Sequence, residues 1–134
     1  MGGCIQEKGC RLRGGQAIDE ADLSNLRDVA GDDYPNMLAE LLGLFEKTTP
    51  ERLAQMKRAL EAGDLASASR EAHSLKSSSA SLGARAVSTI CKEIEHEKSA
   101  EAMFVQIARI EAEFIAARDA LRDVLSRLKL DSVS

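Results

Sequence analysis

The chain has 134 residues, of which 44% are hydrophobic, 30% charged and only 3% aromatic, and its formal net charge is -4. This composition excludes a disordered chain and predicts one soluble globular domain with an aliphatic core, which favours packed helices over sheets. The net negative charge argues against a nucleic-acid-binding protein, which would need an excess of lysine and arginine to neutralise phosphates.

The N-terminal segment has the composition of a tail. Residues 1–17 contain five glycines and no apolar period, which predicts a flexible tail or linker remnant. Cys4 and Cys10 lie in this tail and, with Cys91, form an odd set that predicts free thiols in a reducing compartment. No apolar run approaches the ~20 residues of a membrane span, and no signal peptide is evident. We therefore expect a cytoplasmic domain without membrane insertion.

The first two predicted helices differ in length. Asp19 is a plausible N-cap for a short helix that Gly31 ends. Residues 34–62 then repeat apolar or small side chains at steps of three and four, and this phase survives across Pro50. We favour a single helix bent at Pro50. The competing interpretation has two helices, with Thr49 as N-cap and Pro50 at the first helical position.

Three more helices follow. Asp64 caps a third helix, which runs to Leu82 and is terminated by Gly83. A fourth spans residues 84–97, and Ser99 caps the last. The last helix carries an apolar seam with alternating steps of four and three, typical of a bundle, at Met103, Ile107, Ile110, Phe114, Ala117, Leu121, Val124 and Leu128.

No long alternation typical of strands interrupts these helices. We therefore predict an all-α fold, an antiparallel four-helix bundle with a short extra N-terminal helix. The bundle is expected to span residues 18–130, and residues 131–134 are expected to be disordered.

His73 is expected to lie on the outer surface of the third helix. The apolar stripe of that helix runs through Leu65, Ala68, Ala72, Leu75, Ser79 and Leu82. At about 100° per residue, His73 lies one step beyond the edge of this stripe. Its helical neighbours are two basic and three small residues, Arg70, Lys76, Ser69, Ser77 and Ala80. The ring should therefore face solvent with open space around it.

An exposed imidazole with such neighbours suits phosphoryl chemistry. A histidine in water has a pKa of ~6.5, so at pH 7 it is mostly neutral and one ring nitrogen has a free lone pair that can attack phosphorus. Small neighbours admit a bulky donor, and Lys76 can balance the ~2 negative charges of a phosphoryl group. From these residues alone, an ordinary solvated histidine stays an open alternative.

The segment AHSLKSSSASLGA resembles the signature of histidine-containing phosphotransfer (HPt) domains, Ala-His-x-Leu-Lys followed by small residues and then a hydrophobe-Gly-Ala. The matching residues are Ala72, His73, Leu75, Lys76, Ser78, Ser79, Leu82, Gly83 and Ala84. The preceding LFEKTTPERLAQMKRALEAGD is similar to the helix that precedes this signature in the family. The resemblance covers roughly Ile18 to Leu128. Ser77 departs from the glycine that is most frequent after the lysine, but serine is still small.

The resemblance implies a phosphorelay intermediate, which accepts a phosphoryl group from a receiver-domain aspartate and passes it to the aspartate of another receiver. The implied roles are acceptor for His73, stabiliser of the phosphoryl oxygens for Lys76, clearance for Ser77 and Ala80, docking footprint for Ser69 and Arg70, and structure for Ala72, Leu75 and Gly83.

The same resemblance implies the partners. Response-regulator receiver domains are expected, and a hybrid histidine kinase where the chain is a module of one. The magnesium ion and most catalytic groups are expected on the receiver, so this domain should bind no cofactor and should not be an autonomous enzyme. We expect a monomer. The parent protein can be a free-standing carrier or a membrane-bound sensor kinase.

Other functions fit less well. A structural or adaptor bundle, never phosphorylated, is the alternative function. Glu93 and His96 form one Glu-x-x-His pair, whereas a di-iron site needs two and further inward glutamates. A histidine kinase would need a Gly-rich ATP-binding segment. A hydrolase is unsupported, because serines on the same helix as His73 cannot form a Ser-His-Asp arrangement and no acid is evident near enough to orient the ring.

Overall fold

Helices make up nearly all of the fold in the computed structural model, which describes residues 17–133, with side chains for residues 17–129. The helices are α1 (Glu20–Ala30), α2 (Tyr34–Glu61), α3 (Leu65–Ser81), α4 (Arg85–Glu95) and α5 (Ala100–Val133), with a 3₁₀ turn, Gly31–Asp33, between α1 and α2. The predicted glycine-rich tail, with Cys4 and Cys10, lies outside the described residues except for Ala17.

The four helices α2 to α5 form the bundle. Helix α3 packs against α2 and α4, and α5 packs against the same two helices. Helices α3 and α5 therefore lie at diagonally opposite corners, while α1 packs on α2 and α3 at one side. This architecture confirms the predicted all-α antiparallel four-helix bundle with a short extra N-terminal helix.

The core is formed by the predicted apolar stripes. On α5, Ile107, Ile110 and Leu121 are fully buried, and Leu128 is partly buried at the end of the seam. Helix α2 continues without interruption through Pro50, and Thr49 is fully buried in its stripe. The single-helix interpretation is thus confirmed, and a separate helix starting at Thr49 is wrong. Removing one N–H at Pro50 does not end a helix whose apolar face stays packed on both sides.

The predicted N-caps are all present. Each cap side chain accepts a hydrogen bond from a backbone N–H of the first turn: Asp19 from Ala21 at 2.9 Å, Asp64 from Ser67 at 3.0 Å, and Ser99 from Ala102 at 3.2 Å. These contacts satisfy N–H groups that have no partner inside the helix.

Two boundaries differ from the sequence-based expectation. Helix α4 ends at Glu95, two residues before the predicted end. Helix α5 continues to Val133, so residues 131–133 are helical where disorder was expected. No glycine or proline follows Leu128, and the chain therefore contains no residue that would stop the last turns of the helix.

The turn between α3 and α4 holds the N-terminus of α1. Gly83 has φ +75°, a left-handed conformation that favours glycine. The backbone N–H of Asp19 donates to the Gly83 carbonyl at 2.7 Å, and a Cβ atom on Gly83 would lie 2.5 Å from the Asp19 carbonyl oxygen. Arg85, just after the turn, donates from Nε to Asp22 Oδ2 at 2.7 Å. The α3–α4 hairpin, which carries the candidate site, is thus fixed at its closed end.

Candidate functional site

His73 projects outward from α3, as its place beside the apolar stripe predicts. Its side chain is 66% exposed, whereas Ala72 and Leu75, on either side of it, are fully buried. The ring is therefore no part of the core. The ring is accessible because His73 lies one residue, about 100° around the helix, beyond the buried Ala72.

A carboxylate on α4 joins His73 to Lys76. Glu95 Oε1 lies 2.8 Å from His73 Nδ1, and Glu95 Oε2 lies 2.6 Å from Lys76 Nζ. The Glu95 side chain is only 17% exposed, so it lies under the more exposed ring. His73, Lys76 and Glu95 are called the histidine cluster below.

The charge of Glu95 determines the tautomer of the ring. The Lys76 ammonium, and after it the His73 ring, hold the pKa of Glu95 below its usual range. At neutral pH, Glu95 is therefore a carboxylate, which only accepts hydrogen bonds. Its partner Nδ1 must carry the ring proton, and Nε2 of a neutral ring keeps the lone pair. In that neutral form, the nitrogen with the lone pair is the one that does not contact Glu95.

The expectation that no acid lies near His73 is wrong. The register of the α3–α4 hairpin is the signal that would have found Glu95: His73 and Glu95 each lie eleven residues from Ala84, on opposite sides of it. In an antiparallel hairpin, such residues lie at the same height. Glu95 also follows the buried Ile94 as His73 follows the buried Ala72, so both side chains leave the core at the same edge.

The other predicted site residues lie where the helical spacing puts them. Arg70, Ser77 and Ala80 are exposed, and Ser69 is partly buried. The Lys76 ammonium is paired with Glu95 instead of standing free beside the ring. The surface around His73 therefore carries small side chains on α3, and the Lys76 ammonium beside the ring is held by Glu95.

A groove of mixed character, missed by sequence reasoning, lies between α1 and the Ala80 end of α3. It has a volume of about 740 Å³ and is lined by apolar and polar side chains, those of Leu26, Val29, Leu41 and Ala80 and those of Asp22, Asn25, Ser81, Arg85 and Ser88. Val29 is 82% exposed. The sequence does not reveal this groove, because it depends on how α1 packs against the bundle.

The Glu-x-x-His pair does not converge on a site. Glu93 Oε1 accepts from Arg109 Nη1 at 3.0 Å, and His96 is exposed at the end of α4. Within the part of the chain that the structure describes, no group of three histidine, cysteine, aspartate or glutamate side chains is placed to hold a metal ion. Likewise, none of the described helices combines the length and the apolar character needed to cross a bilayer.

Cys91 lies in the core on α4, the helix that carries Glu95. Its side chain is fully buried. Burial, and then the nearby charge of Glu95, raise the pKa of the thiol to about 12. The thiol is therefore protonated at physiological pH and is no candidate nucleophile.

Comparisons with known proteins identify the family of the chain. The sequence pattern of the Hpt domain matches residues 40–129. The chain is 27% identical to histidine-containing phosphotransfer protein 2 of Arabidopsis thaliana over 117 residues, which cover 83% of this chain and 75% of the relative. The crystal structure of histidine-containing phosphotransfer protein B (HptB) from Pseudomonas aeruginosa PAO1 matches with a TM-score of 0.69 and 32% identity, over 83% of this chain and 96% of that one. The chain therefore belongs to the Hpt domain family and has the role of a phosphotransfer carrier in a phosphorelay.

Proposed function

We propose that His73 accepts a phosphoryl group from the aspartyl phosphate of a receiver domain and passes it to the aspartate of a second receiver. The observation that supports this role is the exposed ring whose Nδ1 is held by Glu95. Among the imidazoles of the chain, His96 has no such arrangement, because it lies at a helix end where its neighbour Glu93 pairs with Arg109.

Phosphoryl transfer forms one bond to phosphorus and breaks another. The Nε2 lone pair attacks the phosphorus of the aspartyl phosphate, an N–P bond forms, and the bond between phosphorus and the aspartate oxygen breaks. The aspartate leaves as a carboxylate, and the ring, still protonated at Nδ1, becomes a cation. Onward transfer reverses these changes on a second aspartate, which attacks the phosphorus and returns the Nε2 lone pair to His73.

Glu95 and Lys76 support this reaction in different ways. Glu95 is a positioning residue: its carboxylate holds the Nδ1 proton, orients the ring and stabilises the positive charge that develops on it. Lys76, three residues beyond His73 and 30% exposed, places a positive charge on the same surface, where it offsets the charge of the phosphoryl oxygens. The magnesium ion that assists the reaction is expected on the receiver.

The receiver is expected to dock over the small residues of α3. Ser77 and Ala80 leave room beside the ring, and Ser69 and Arg70 lie toward the other end of the footprint. The groove beside Ala80, lined by apolar residues such as Val29 and polar ones such as Arg85, extends this surface and would accept a side chain of the receiver. A free-standing cytoplasmic carrier and a module of a hybrid histidine kinase both fit this role.

The decisive experiment is phosphoryl transfer from a phosphorylated receiver to the His73→Gln variant. Acid-labile labelling of this variant should be lost, while its helicity stays that of the wild type, because the side chain lies outside the core. The matched control, His96→Gln, removes the other imidazole and should be labelled normally.

The competing function, an adaptor that is never phosphorylated, predicts a different result. It requires that the wild-type chain bind its signalling partner but take up no label from any phosphorylated receiver. Labelling that persists in His73→Gln and disappears in His96→Gln would instead assign the acceptor to His96.

A further inference from the structure

The outer face of α5 is apolar over nearly three turns. Val105 is 63% exposed, Ile115 48% and Phe104 38%, and Ala108 and Ala112 between them are exposed as well. The central residues, Val105, Ala108, Ala112 and Ile115, follow 3-4-3 spacing, which places them in one line along the helix. A second apolar stripe thus lies on the side of α5 opposite to the core.

This stripe is symmetric about Ile110. Val105 and Ile115 lie five residues on either side of it, and Ala108 and Ala112 lie two. An acidic residue closes each end at the same distance of nine residues, Glu101 on one side and Asp119 on the other. A two-fold contact centred at the height of Ile110 would therefore set apolar residues against apolar residues along the whole stripe.

We propose that the outer face of α5 is the contact of an antiparallel, two-fold symmetric dimer of this chain. In this arrangement, Val105 of one copy faces Ile115 of the other, and Ala108 faces Ala112. The small alanines at the centre let the two helix backbones approach closely. The dimer replaces the monomer expected from the sequence.

The antiparallel direction is supported by the positions of an exposed side chain, Phe104, and of a groove beside Ile115. Phe104 lies on the edge of the face that borders α2, the same edge as Ile115 and Arg118. Beside Ile115, a groove of about 370 Å³ runs between α2 and α5, lined by Pro50, Ala54 and Arg118 among others. Reversal about Ile110 brings Phe104 of the second copy to the height of residue 116. Its ring then enters this groove, with the Arg118 guanidinium available for a cation–π contact.

The charges at the flanks are compatible with a second copy. On the α2 side, Lys57 Nζ pairs with Glu111 Oε2 at 3.0 Å, and on the α4 side Arg109 pairs with Glu93 at 3.0 Å. Each flank therefore carries an ion pair. The two-fold axis sets each pair beside its own copy, and it sets Glu101 of one copy beside Asp119 of the other at the exposed ends of the face, where salt screens their repulsion.

The dimer leaves the histidine cluster accessible. Helix α5 lies diagonally across the bundle from α3, so a contact on the outer face of α5 directs His73 of each copy away from the interface. The proposal does not depend on His73 being the phosphoryl acceptor, and a failure of either leaves the other standing.

Sedimentation equilibrium of the full chain tests the dimer. Between roughly 20 µM and 1 mM protein, a range suited to a small and reversible contact, the mean mass should rise from 14.5 kDa toward twice that value. Ile115→Glu should keep the mass at that of one chain at every concentration. Leu44→Glu is the matched control, since it changes an exposed leucine on α2 (57% exposed) and should dimerise like the wild type.

Cross-linking tests the direction. In a Cys4→Ser, Cys10→Ser background, Val105→Cys and Ile115→Cys proteins should form disulfide-linked dimers when mixed, and each alone should cross-link far less. Equal cross-linking of each variant alone would indicate parallel helices and overturn the register. A wild-type chain that stays monomeric to 1 mM would overturn the dimer. This conclusion would hold even if Ile115→Glu abolished binding of a different protein, because that result would assign the face to the other protein.

Discussion

Helices α3 and α5 occupy opposite corners of the same bundle, and their side chains differ in size on both faces. Toward the core, α3 buries small residues, Ala68, Ala72 and Ser79, beside the single large Leu75, whereas the buried seam of α5 is large except at Ala117. Toward solvent, α3 carries small residues around one imidazole. The separation of two helices depends on the side chains between them, so the small inner face of α3 lets α4 approach and brings Glu95 to His73. The functional residues are thus concentrated on α3, the helix with small side chains, and α5 contributes large apolar side chains to the core.

This contrast predicts that adding volume to α3 harms function, and removing it from α5 harms stability. Ser77→Leu, one turn from His73, should abolish measurable phosphoryl transfer with little change in the free energy of unfolding. The added isobutyl group would occupy the space beside the ring, and Ser77 is exposed. Rapid-quench transfer assays and titration with the receiver measure the effect.

Ser126→Leu is the control for that experiment, since it enlarges an exposed serine on α5 and should transfer normally. If Ser77→Leu binds the receiver as tightly as the wild type, the small surface of α3 is not a requirement for docking.

The converse change is Ile110→Ala on α5. Truncating this fully buried isoleucine should lower the free energy of unfolding by about 2–5 kcal/mol. The transfer rate of the folded fraction should be unchanged, because His73 lies across the bundle. Urea titration followed by circular dichroism measures the loss. Ile115→Ala, on the exposed face, should cost well under half as much when it is measured in dilute protein, and equal costs would contradict the assignment of the two faces.

A smaller effect is expected for Lys76→Ala. Removing the ammonium should slow phosphoryl transfer by about tenfold, equivalent to ~1.4 kcal/mol of activation free energy, and leave the helix content unchanged. Single-turnover kinetics give the rate, with Lys98→Ala as a control at an exposed lysine. Unchanged kinetics would restrict the role of Lys76 to the ion pair with Glu95.

The same Lys76→Ala variant should also change a titration. The ammonium is the largest cause of the lowered pKa of Glu95, so without it this pKa should move up toward its ordinary value. Because the folded-state pKa lies below the unfolded one, the stability contributed by Glu95 is present above the unfolded pKa and is lost as pH falls through the folded pKa. In the variant this contribution should be smaller, and its loss should be complete at a higher pH. Carbon-13 NMR of the Glu95 carboxyl follows it, and an unaltered pKa would mean that His73 holds the carboxylate alone.

Helical phase carried most of what the sequence predicts correctly. The stripe through Ala72 and Leu75 was sufficient to direct His73 outward, and the period across Pro50 was sufficient to join two segments into α2. Both are properties of one helix with a side toward the core. They need no knowledge of which helix lies alongside.

What the sequence did not predict depends on neighbours. Glu95 follows from the register of the α3–α4 hairpin, which the chain encodes only through the position of its turn. The close approach of Asp19 to Gly83 and the groove beside Val29 depend on where α1 packs, which no period reveals. The last turns of α5 were missed for a different reason, because a sequence without strong stop residues leaves the helix end undefined.

The burial of Cys91 gives the molecule an internal reporter. A protonated thiol sealed between helices cannot be alkylated until α4 separates from its neighbours, and only the thiolate reacts. The rate at which iodoacetamide modifies that cysteine therefore reports local openings of the core along α4, the helix that carries Glu95. A receiver that binds and stabilises the α3–α4 hairpin would slow this modification without touching the sulfur. The alkylation rate of Cys91 therefore reports on receiver docking.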